Sequence, residues 1–299
     1  MSQPNLDDLL KAGVHFGHQT RRWNPKMRRF IFAERNGIHI IDLQKTLRQI
    51  ELAQKLAREV ILRGDNVLFV CTKRQLSAIV KDEAERSGAL YVTERWLGGL
   101  LTNFQTVKKQ IRRLKDLETG SETGGEFENY TKKEQLLMTR QRDKLAKNLS
   151  GIKNMTRLPG LMFVIDSKKE RIAVSEANKL GIPIVAIVDT NADPDVITVP
   201  IAGNDDAIRS VELIAKAIAD SVVEARREAP VRQEVEEGES NTYSSDRGME
   251  QAGGDEDRRR RRRPRRRRAK PEAIAARLKS GSVDEVEGAV EEVPDDGGA

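Results

Sequence analysis

Side chains that could do chemistry crowd the stretch GVHFGHQTRRWNPKMRRFIF, which runs from Gly13 to Phe32. It contains His15 and His18, and two histidines three residues apart can ligate a metal ion when carboxylates approach them. Without a compensating acid, its basic side chains would repel one another unless a polyanion neutralised them. These are Arg21, Arg22, Lys26, Arg28 and Arg29. The stretch therefore indicates either a metal site or a surface that binds a polyanion.

The carboxylates that could complete a metal site come later in the chain, at or after the ends of predicted strands, where α/β folds gather ligands. They are Asp189, Asp193, Asp195, Asp205 and Asp206. The alternative is that Asn204, Asp205 or Asp206 caps the helix predicted from AIRSVELIAKAI. The single cysteine, Cys71, excludes a CxxC metal site and an internal disulfide, and its apolar surroundings predict burial. The sequence leaves the metal and the helix cap both open.

Two tryptophans stand beside basic residues. Trp23 lies between Arg22 and Asn24, and Arg95 precedes Trp96. An aromatic ring flanked by guanidinium groups suits stacking on an unpaired base together with a phosphate contact. The alternative is that each indole anchors a loop to the core, as a lone tryptophan often does. The basic neighbours favour RNA contact.

Motifs for nucleotide chemistry and catalysis are missing at the expected places. Neither GxGxxG nor GxxxxGK[ST] follows a predicted strand, and no GxSxG or HExxH occurs. Gly98 and Gly99, in WLGGLLTNF, could expose backbone N–H groups to a phosphate, but turn statistics favour a turn that starts a helix. The sequence therefore predicts that the protein is not an enzyme.

The elements that must position these residues follow an alternating pattern. Near-continuous apolar runs at 66–72, 160–166 and 182–189 predict strands covered on both faces, and 89–94 is a weaker strand. Helical patterns follow them, so the sequence predicts an α/β fold with a parallel sheet. Before this unit, Asn36-Gly37 predicts the turn of a β-hairpin.

Residues 102–158 break the alternation. Val107, Ile111, Leu114 and Leu117 form one apolar seam, and a second seam follows a Gly-rich link; its residues are Met138, Leu145, Leu149 and Ile152. Two such seams predict an antiparallel coiled-coil helical hairpin. Its outer faces carry Lys108, Lys109, Arg112, Arg113, Arg140, Arg142, Lys144 and Lys147.

Charge and composition divide the rest of the chain of 299 residues, whose net charge is +6. After about residue 230 the apolar periodicity stops, and arginine tracts at 258–263 and 265–268 precede an acidic end. Such composition predicts a disordered extension. The predicted organisation is an α/β domain at 1–101 and 159–230, an inserted hairpin at 102–158 and a charged extension at 231–299. Neither a signal peptide nor a membrane span is predicted, so we expect a cytoplasmic protein.

Several segments together resemble one family, the bacterial small-subunit ribosomal protein S2 family. They are LLKAGVHFGHQTRRWNPKMRRFIFAERNGIHIIDLQKT, VCTKRQ, ERWLGGLLTNFQTV, IRRLKDLE, LPGLMFVIDSKKERIAVSEANKLGIPIVAIVDTNADPD and GNDDAIRS. The resemblance covers residues 5–227 in order and spacing. It implies a flavodoxin-like parallel sheet flanked by helices, with the coiled-coil hairpin protruding from it. The extension beyond residue 230 departs from the usual pattern of the family.

The resemblance also implies a non-catalytic function. It implies a structural constituent of the small (30S) subunit that binds 16S rRNA at the head–body junction and helps to dock the large mRNA-binding protein built from OB repeats. By position it implies RNA contacts at Arg21, Arg22, Trp23, Asn24, Lys26, Arg28, Arg29, Arg95, Trp96, Asn103, Lys108, Lys109, Arg112 and Arg113. No cofactor is required, although His18, Asp189 and Asp205 match a position that holds a structural metal ion, such as zinc, in some members.

Two other functions compete with this one. A nucleotide-dependent α/β enzyme would share the parallel sheet, but it would need a phosphate-binding loop or a catalytic constellation. An RNA-binding regulator outside the ribosome would share the basic surface. Only the motif resemblance separates that regulator from a ribosomal protein.

Overall fold

The computed structural model describes residues 4–121 and 130–228. Its amino-terminal part holds a short helix and a small antiparallel sheet, followed by a long helix. The bounds are α1 (Leu6–Lys11), β1 (Phe16–Gln19), β2 (Ile31–Arg35), β3 (Ile38–Ile41) and α2 (Leu43–Leu62), with the sheet order β1-β3-β2. Asn36 and Gly37 have φ angles of 53° and 73° between β2 and β3, which confirms the predicted Asn-Gly hairpin.

Five parallel strands form the main sheet and confirm the predicted α/β fold. They are β4 (Val67–Val70), β5 (Leu90–Val92), β6 (Leu161–Ile165), β7 (Ile184–Val188) and β8 (Val199–Ala202), in the order β5-β4-β6-β7-β8. Counted from β4, this order is 2-1-3-4-5, in which the direction of winding reverses between β4 and β6. Ligands of doubly wound sheets bind outside the carboxyl ends of the strands near that point, so that edge positions any site.

The helices that cover this sheet end close to where the sequence predicts. They are α3 (Ser77–Ser87), α4 (Phe104–Gly120), α5 (Lys132–Leu149), α6 (Arg171–Leu180) and α7 (Ile208–Glu228). Gly88 and Gly181, with φ angles of 67° and 68°, end α3 and α6 in the left-handed conformation that favours glycine. The predicted starts are a few residues early because loops precede the first turns. Before α7, the Asn204 side chain accepts hydrogen bonds from the N–H groups of Asp206 and Ala207.

Two apolar clusters, one on each face of the sheet, make the core. Phe69 and Phe163 point to the face covered by α2, α3 and α7, where their rings meet edge to face at 5.2 Å. Leu68 and Val164 point to the opposite face, which α6 and α4 cover. Burial on both faces explains why the strand sequences are near-continuous apolar runs rather than alternating ones. Cys71 is buried as predicted, and burial raises the pKa of its thiol to about 11.

The predicted hairpin region is joined to the core rather than set apart from it. Val107, Ile111 and Leu114 of α4 belong to the same apolar cluster as α6, and so do Leu149 and Ile152 at the end of α5. The two helices also touch each other. The link predicted between them at 122–129, and the predicted extension at 231–299, lie outside the described residues. The coiled-coil geometry therefore stays a prediction.

Within residues 4–121 and 130–228, no helix combines the length and the apolar character that crossing a bilayer requires.

Candidate nucleic-acid interface

The segment from Thr20 to Phe30, which we call the basic segment, folds as two 3-10 turns, Thr20–Arg22 and Pro25–Phe30. Its conformation is held from inside. Met27 and Phe30 are buried in the cluster shared with α6, and the Asn24 N–H donates to the Thr190 carbonyl at 2.7 Å. Asn24 also caps the second turn, since its side-chain oxygen accepts the Lys26 N–H at 3.1 Å. The apolar residues thus anchor the segment while its cations face solvent.

The cations of the basic segment divide into two kinds. Lys26 lies 2.7 Å from Asp193 and 3.2 Å from Asp195, and Arg29 lies 3.1 Å from Asp195. Hydrogen bonds to these carboxylates raise the pKa of Lys26. The expectation that no acid compensates the segment is therefore wrong for two of its five cations, because the acids come from a distant loop. The other three are exposed and have no ion pair with a described acid; they are Arg21, Arg22 and Arg28.

The two tryptophans occupy different environments. Trp23 is half-buried, with its ring centroid 5.0 Å from that of His39. Trp96 is only 6% exposed, and its indole N–H donates to Glu176 Oε1 at 3.2 Å. Trp96 therefore anchors a loop to the core, and its ring faces are not offered to a base in this structure. The anchoring alternative describes Trp96, whereas Trp23 keeps part of its ring surface exposed.

A buried glutamate, which no sequence motif indicates, organises the loop after Trp96. Glu176, on α6, accepts backbone N–H groups from Gly99, Leu101 and Thr102 at 2.8, 3.0 and 3.2 Å. Burial would raise the pKa of Glu176, but these hydrogen bonds and the Trp96 indole outweigh burial and lower it. The amides near Gly98-Gly99 thus bind an internal carboxylate rather than offering a phosphate site. A charge among the apolar positions of α6 was the available signal.

The remaining predicted RNA contacts lie on or near α4. Arg95 and Asn103 are exposed, and Asn103 Oδ1 accepts the Thr106 hydroxyl at 2.8 Å. The four predicted cations of α4 point away from its buried stripe, and none has an ion pair with an acid of residues 4–121 or 130–228. They are Lys108, Lys109, Arg112 and Arg113, of which Lys108 is half-buried. This row of cations is a second exposed basic surface.

Charged side chains gather at the carboxyl edge of the sheet. Lys73, after β4, lies 2.9 Å from Asp166, 3.1 Å from Asp205 and 2.7 Å from Asp206. His18 Nδ1 lies 2.9 Å from Asp189 Oδ2, and His18 Nε2 lies 3.8 Å from Asp206. The His18 backbone N–H donates to the Thr190 hydroxyl. Four carboxylates thus face one ammonium and one imidazole, so the cluster is rich in negative charge.

The excess of acid explains the protonation of this cluster. Burial and the neighbouring Asp166 carboxylate raise the pKa of Asp205 to about 7, although Lys73 opposes them. The hydrogen bond to Asp189 raises the pKa of His18 against the effect of burial. Asp206 is different, since its hydrogen bond to Lys73 lowers its pKa. A proton on Asp205 or His18 therefore relieves the repulsion among these carboxylates.

The predicted metal ligands are only partly brought together. His18 and Asp189 are in contact, but Asp205 lies against the Lys73 ammonium, which already supplies a positive charge at that position. His15 instead packs its ring against Phe16, with 4.0 Å between ring centroids. No group of three or more histidine, cysteine, aspartate or glutamate side chains that could hold a metal ion occurs in the described parts of the chain. The arrangement does not fit the implied metal, and no role is derived through one.

The point where the winding of the sheet reverses is occupied by the protein's own side chains. Glu170, which precedes α6, accepts the Thr72 N–H at 3.0 Å and also the Thr72 hydroxyl. The Lys169 ammonium donates to the Thr72 carbonyl at 3.2 Å. In an enzyme of this fold the loop after this strand commonly faces a phosphate. Here its polar groups are satisfied internally, which leaves exposed basic surfaces as the features that can bind a partner.

This combination defines a doubly wound α/β protein with basic surfaces at its amino-terminal segment and on α4. Comparison with known proteins then identifies the family. The family profile described as "Ribosomal protein S2" matches residues 9–225. The chain belongs to the ribosomal protein S2 family, whose members are structural proteins and not enzymes.

Relatives agree with this assignment over most of their length. The small ribosomal subunit protein uS2 of Corynebacterium diphtheriae is 55% identical over 227 residues, which are 76% of this chain and 85% of the relative. The protein of the same name from Acidothermus cellulolyticus is 56% identical over 224 residues, covering 75% of this chain and 82% of the relative. The family resemblance predicted from the sequence motifs is confirmed.

Proposed function

We propose that the protein is a structural constituent of the small ribosomal subunit in the cytoplasm, where it binds 16S rRNA at the head–body junction and supports translation. The observation that carries the proposal is the set of exposed cations without acidic partners on the anchored basic segment, in a chain that belongs to the S2 family. Among the described residues, Arg21, Arg22 and Arg28 form this set. Arginines held on an ordered segment suit phosphate contacts that fix position.

The row of cations on α4 would provide a second contact with RNA. We propose that α4 and α5 form a coiled-coil hairpin protruding from the α/β domain of residues 1–101 and 159–230, with the basic face of α4 turned to rRNA. In this arrangement Arg112 and Arg113 would reach phosphates distant from those at the basic segment. Two separated contacts would fix orientation as well as affinity, since phosphate contacts position a protein without reading the sequence of bases.

Docking of the large mRNA-binding OB-repeat protein would use a different surface. The small antiparallel sheet exposes one large apolar side chain from each strand, namely Phe16 (51%), Phe32 (76%) and Ile38 (37%). Exposed aromatic residues are enriched where proteins bind one another. Their position on the small sheet, away from α4, supports a protein contact that leaves the α4 cations available to RNA.

Sedimentation of subunits tests the proposal. The variant R21Q/R22Q/R28Q removes three cations that have no acidic partner among the described residues. The control R48Q/K55Q/K216Q removes three exposed cations from α2 and α7 on the opposite face of the sheet. Each protein is expressed with a tag, and its amount in the 30S peak of a sucrose gradient is measured by mass spectrometry across a salt series. Removal of one phosphate contact is expected to reduce the salt slope of binding by about 1.

The outcomes separate the competing functions. The proposal expects the wild-type and control proteins in the 30S peak at low salt, with earlier loss of the basic-segment variant as salt rises. Equal retention of that variant at every salt concentration would contradict the RNA contact. Wild-type protein at the top of the gradient, with none in the 30S peak, would reject a subunit constituent and favour a regulator outside the ribosome.

A further inference from the structure

A cleft of about 690 Å³ lies between α6 and the loop that follows β7. It opens at the carboxyl edge of the sheet, where doubly wound folds bind ligands, and its volume lies in the range of small-molecule sites. It is distinct from the cluster around His18 and Lys73, neither of which lines it. None of the contacts proposed above for rRNA or for the OB-repeat protein places a ligand in this cleft.

Two buried polar atoms in the cleft have no hydrogen-bond partner in the described parts of the chain. They are the Ser167 hydroxyl oxygen and Asn191 Oδ1, and Ser167 is only 6% exposed. Buried polar atoms are nearly always hydrogen-bonded, so two on the wall of one cleft indicate a partner that enters it. A hydroxyl can donate and accept, and an amide does both at adjacent atoms. Together they match the edge of a nucleobase better than a point charge.

The mouth of the cleft carries positive charge. Lys168, Arg171 and Lys179 line it, and all three are exposed without an ion pair to an acid among the described residues. The carboxylate of Asp193 also lines the cleft, but Lys26 pairs with it at 2.7 Å. The uncompensated charge is therefore positive, which favours an anionic ligand such as a phosphate.

The remaining wall is apolar. Val174 of α6 and Ala192 are buried behind it, and Val196 contributes a side chain that is 44% exposed. The Asn178 amide donates to the Val196 carbonyl at 2.9 Å, which ties the loop to α6 and keeps the cleft open at a fixed width. A flat aliphatic wall facing an amide and a hydroxyl suits a planar ring with a polar edge.

We propose that this cleft binds a nucleotide, with the base between Val174 and Val196, its polar edge on Asn191 and Ser167, and its phosphate on Lys168 and Arg171. The nucleotide is either an unpaired residue of an RNA strand or a free mononucleotide. An acidic peptide would satisfy the cations, but it would leave the buried amide and hydroxyl without a planar partner. The site extends beyond the proposed rRNA contacts, since those use exposed cations on other elements.

Binding to the purified full-length chain tests this site. The probes are AMP, a fluorescent hexameric oligoadenylate and a hexaglutamate peptide, and binding is followed by fluorescence anisotropy, with AMP and the peptide as competitors. Asn191→Leu replaces the amide by a side chain of similar size, and Val196→Trp fills the cleft from an exposed position. Arg48→Gln, on the opposite face of the sheet, is the matched control for R171Q. Circular dichroism establishes that each variant is folded.

The expected result is binding by the wild-type and R48Q proteins, about tenfold weaker binding by N191L and R171Q, and loss of binding by V196W. Competition by AMP would identify a mononucleotide site, and binding of the oligonucleotide without AMP competition would identify an unpaired residue of a strand. Equal binding by wild type, N191L and V196W would overturn the proposal, as would binding of hexaglutamate alone. Oligonucleotide binding that R21Q/R22Q/R28Q abolishes and V196W leaves intact would reject the cleft while supporting the basic segment.

Discussion

Two loops of this protein begin from the same sequence feature, an arginine next to a tryptophan, and the fold uses them in opposite ways. The loop after Arg95 buries Trp96 and wraps its backbone amides around Glu176. The basic segment leaves Trp23 half-buried and keeps its arginines in solvent. The difference arises from which carboxylate each loop meets. A buried acceptor closes the first loop, whereas the exposed Asp193 and Asp195 compensate the second only in part.

The largest effect expected from this comparison is the loss of the buried acceptor. Glu176→Gln keeps the size of the side chain but places an NH₂ group among backbone N–H donors. We expect the free energy of unfolding to fall by about 2 to 4 kcal/mol, because hydrogen bonds to a buried charge are lost and donors are left unpaired. Urea denaturation followed by circular dichroism measures it. The control Glu34→Gln, at an exposed position on β2, should change stability by less than about 0.5 kcal/mol.

A fall of that size in both variants would show that the effect is generic to glutamate replacement. No fall in E176Q would show that the loop after Trp96 does not depend on its carboxylate. Either result would remove the contrast between a closed loop and an open one.

The same carboxylate predicts a pH dependence. The folded-state pKa of Glu176 lies below its ordinary value of 4.5, so the unfolded chain binds the proton more tightly than the folded one. Its contribution to stability is therefore complete above pH 4.5 and is lost as pH falls through the folded-state pKa. We expect the stability difference between wild type and E176Q to shrink as pH falls below 4.5, in urea titrations from about pH 7 to about pH 3. A difference that stays constant over this range would contradict the assigned charge of Glu176.

How far the sequence predicts this molecule depends on the distance over which each feature is determined. The strands of the main sheet are local apolar runs, and the turn at Asn36-Gly37 is a local dipeptide, so both were predictable. The Trp96–Glu176 hydrogen bond joins residues 80 positions apart, and the Lys26–Asp193 bond joins residues 167 positions apart. Neither pair leaves a local pattern in the sequence. The candidate residues were therefore identified by type, but which cations stay free for a partner required the fold.

The smallest effect concerns the partial compensation of the basic segment. Asp195 contacts both Lys26 and Arg29, so Asp195→Asn releases two cations with one change and no gain in size. Exposed pairs of this kind contribute at most about 1 kcal/mol, which sets an expected gain in affinity for the 30S particle of about two- to fivefold. Because more phosphate contacts become available, the salt dependence of binding should steepen as well. Retention of tagged protein on 30S particles across a salt series measures both quantities.

The matched control for this change is Asp220→Asn, since Asp220 pairs with Arg86 at 2.6 Å between α7 and α3, on the face of the sheet away from the basic segment. Its removal alters net charge by the same amount but frees an arginine far from the proposed rRNA contact. Tighter binding by D195N alone would show that Asp195 restrains cations that RNA can use. Equal gains in both variants would indicate a general charge effect, and weaker binding by D195N would mean that Asp195 orders the segment for RNA instead of competing with it.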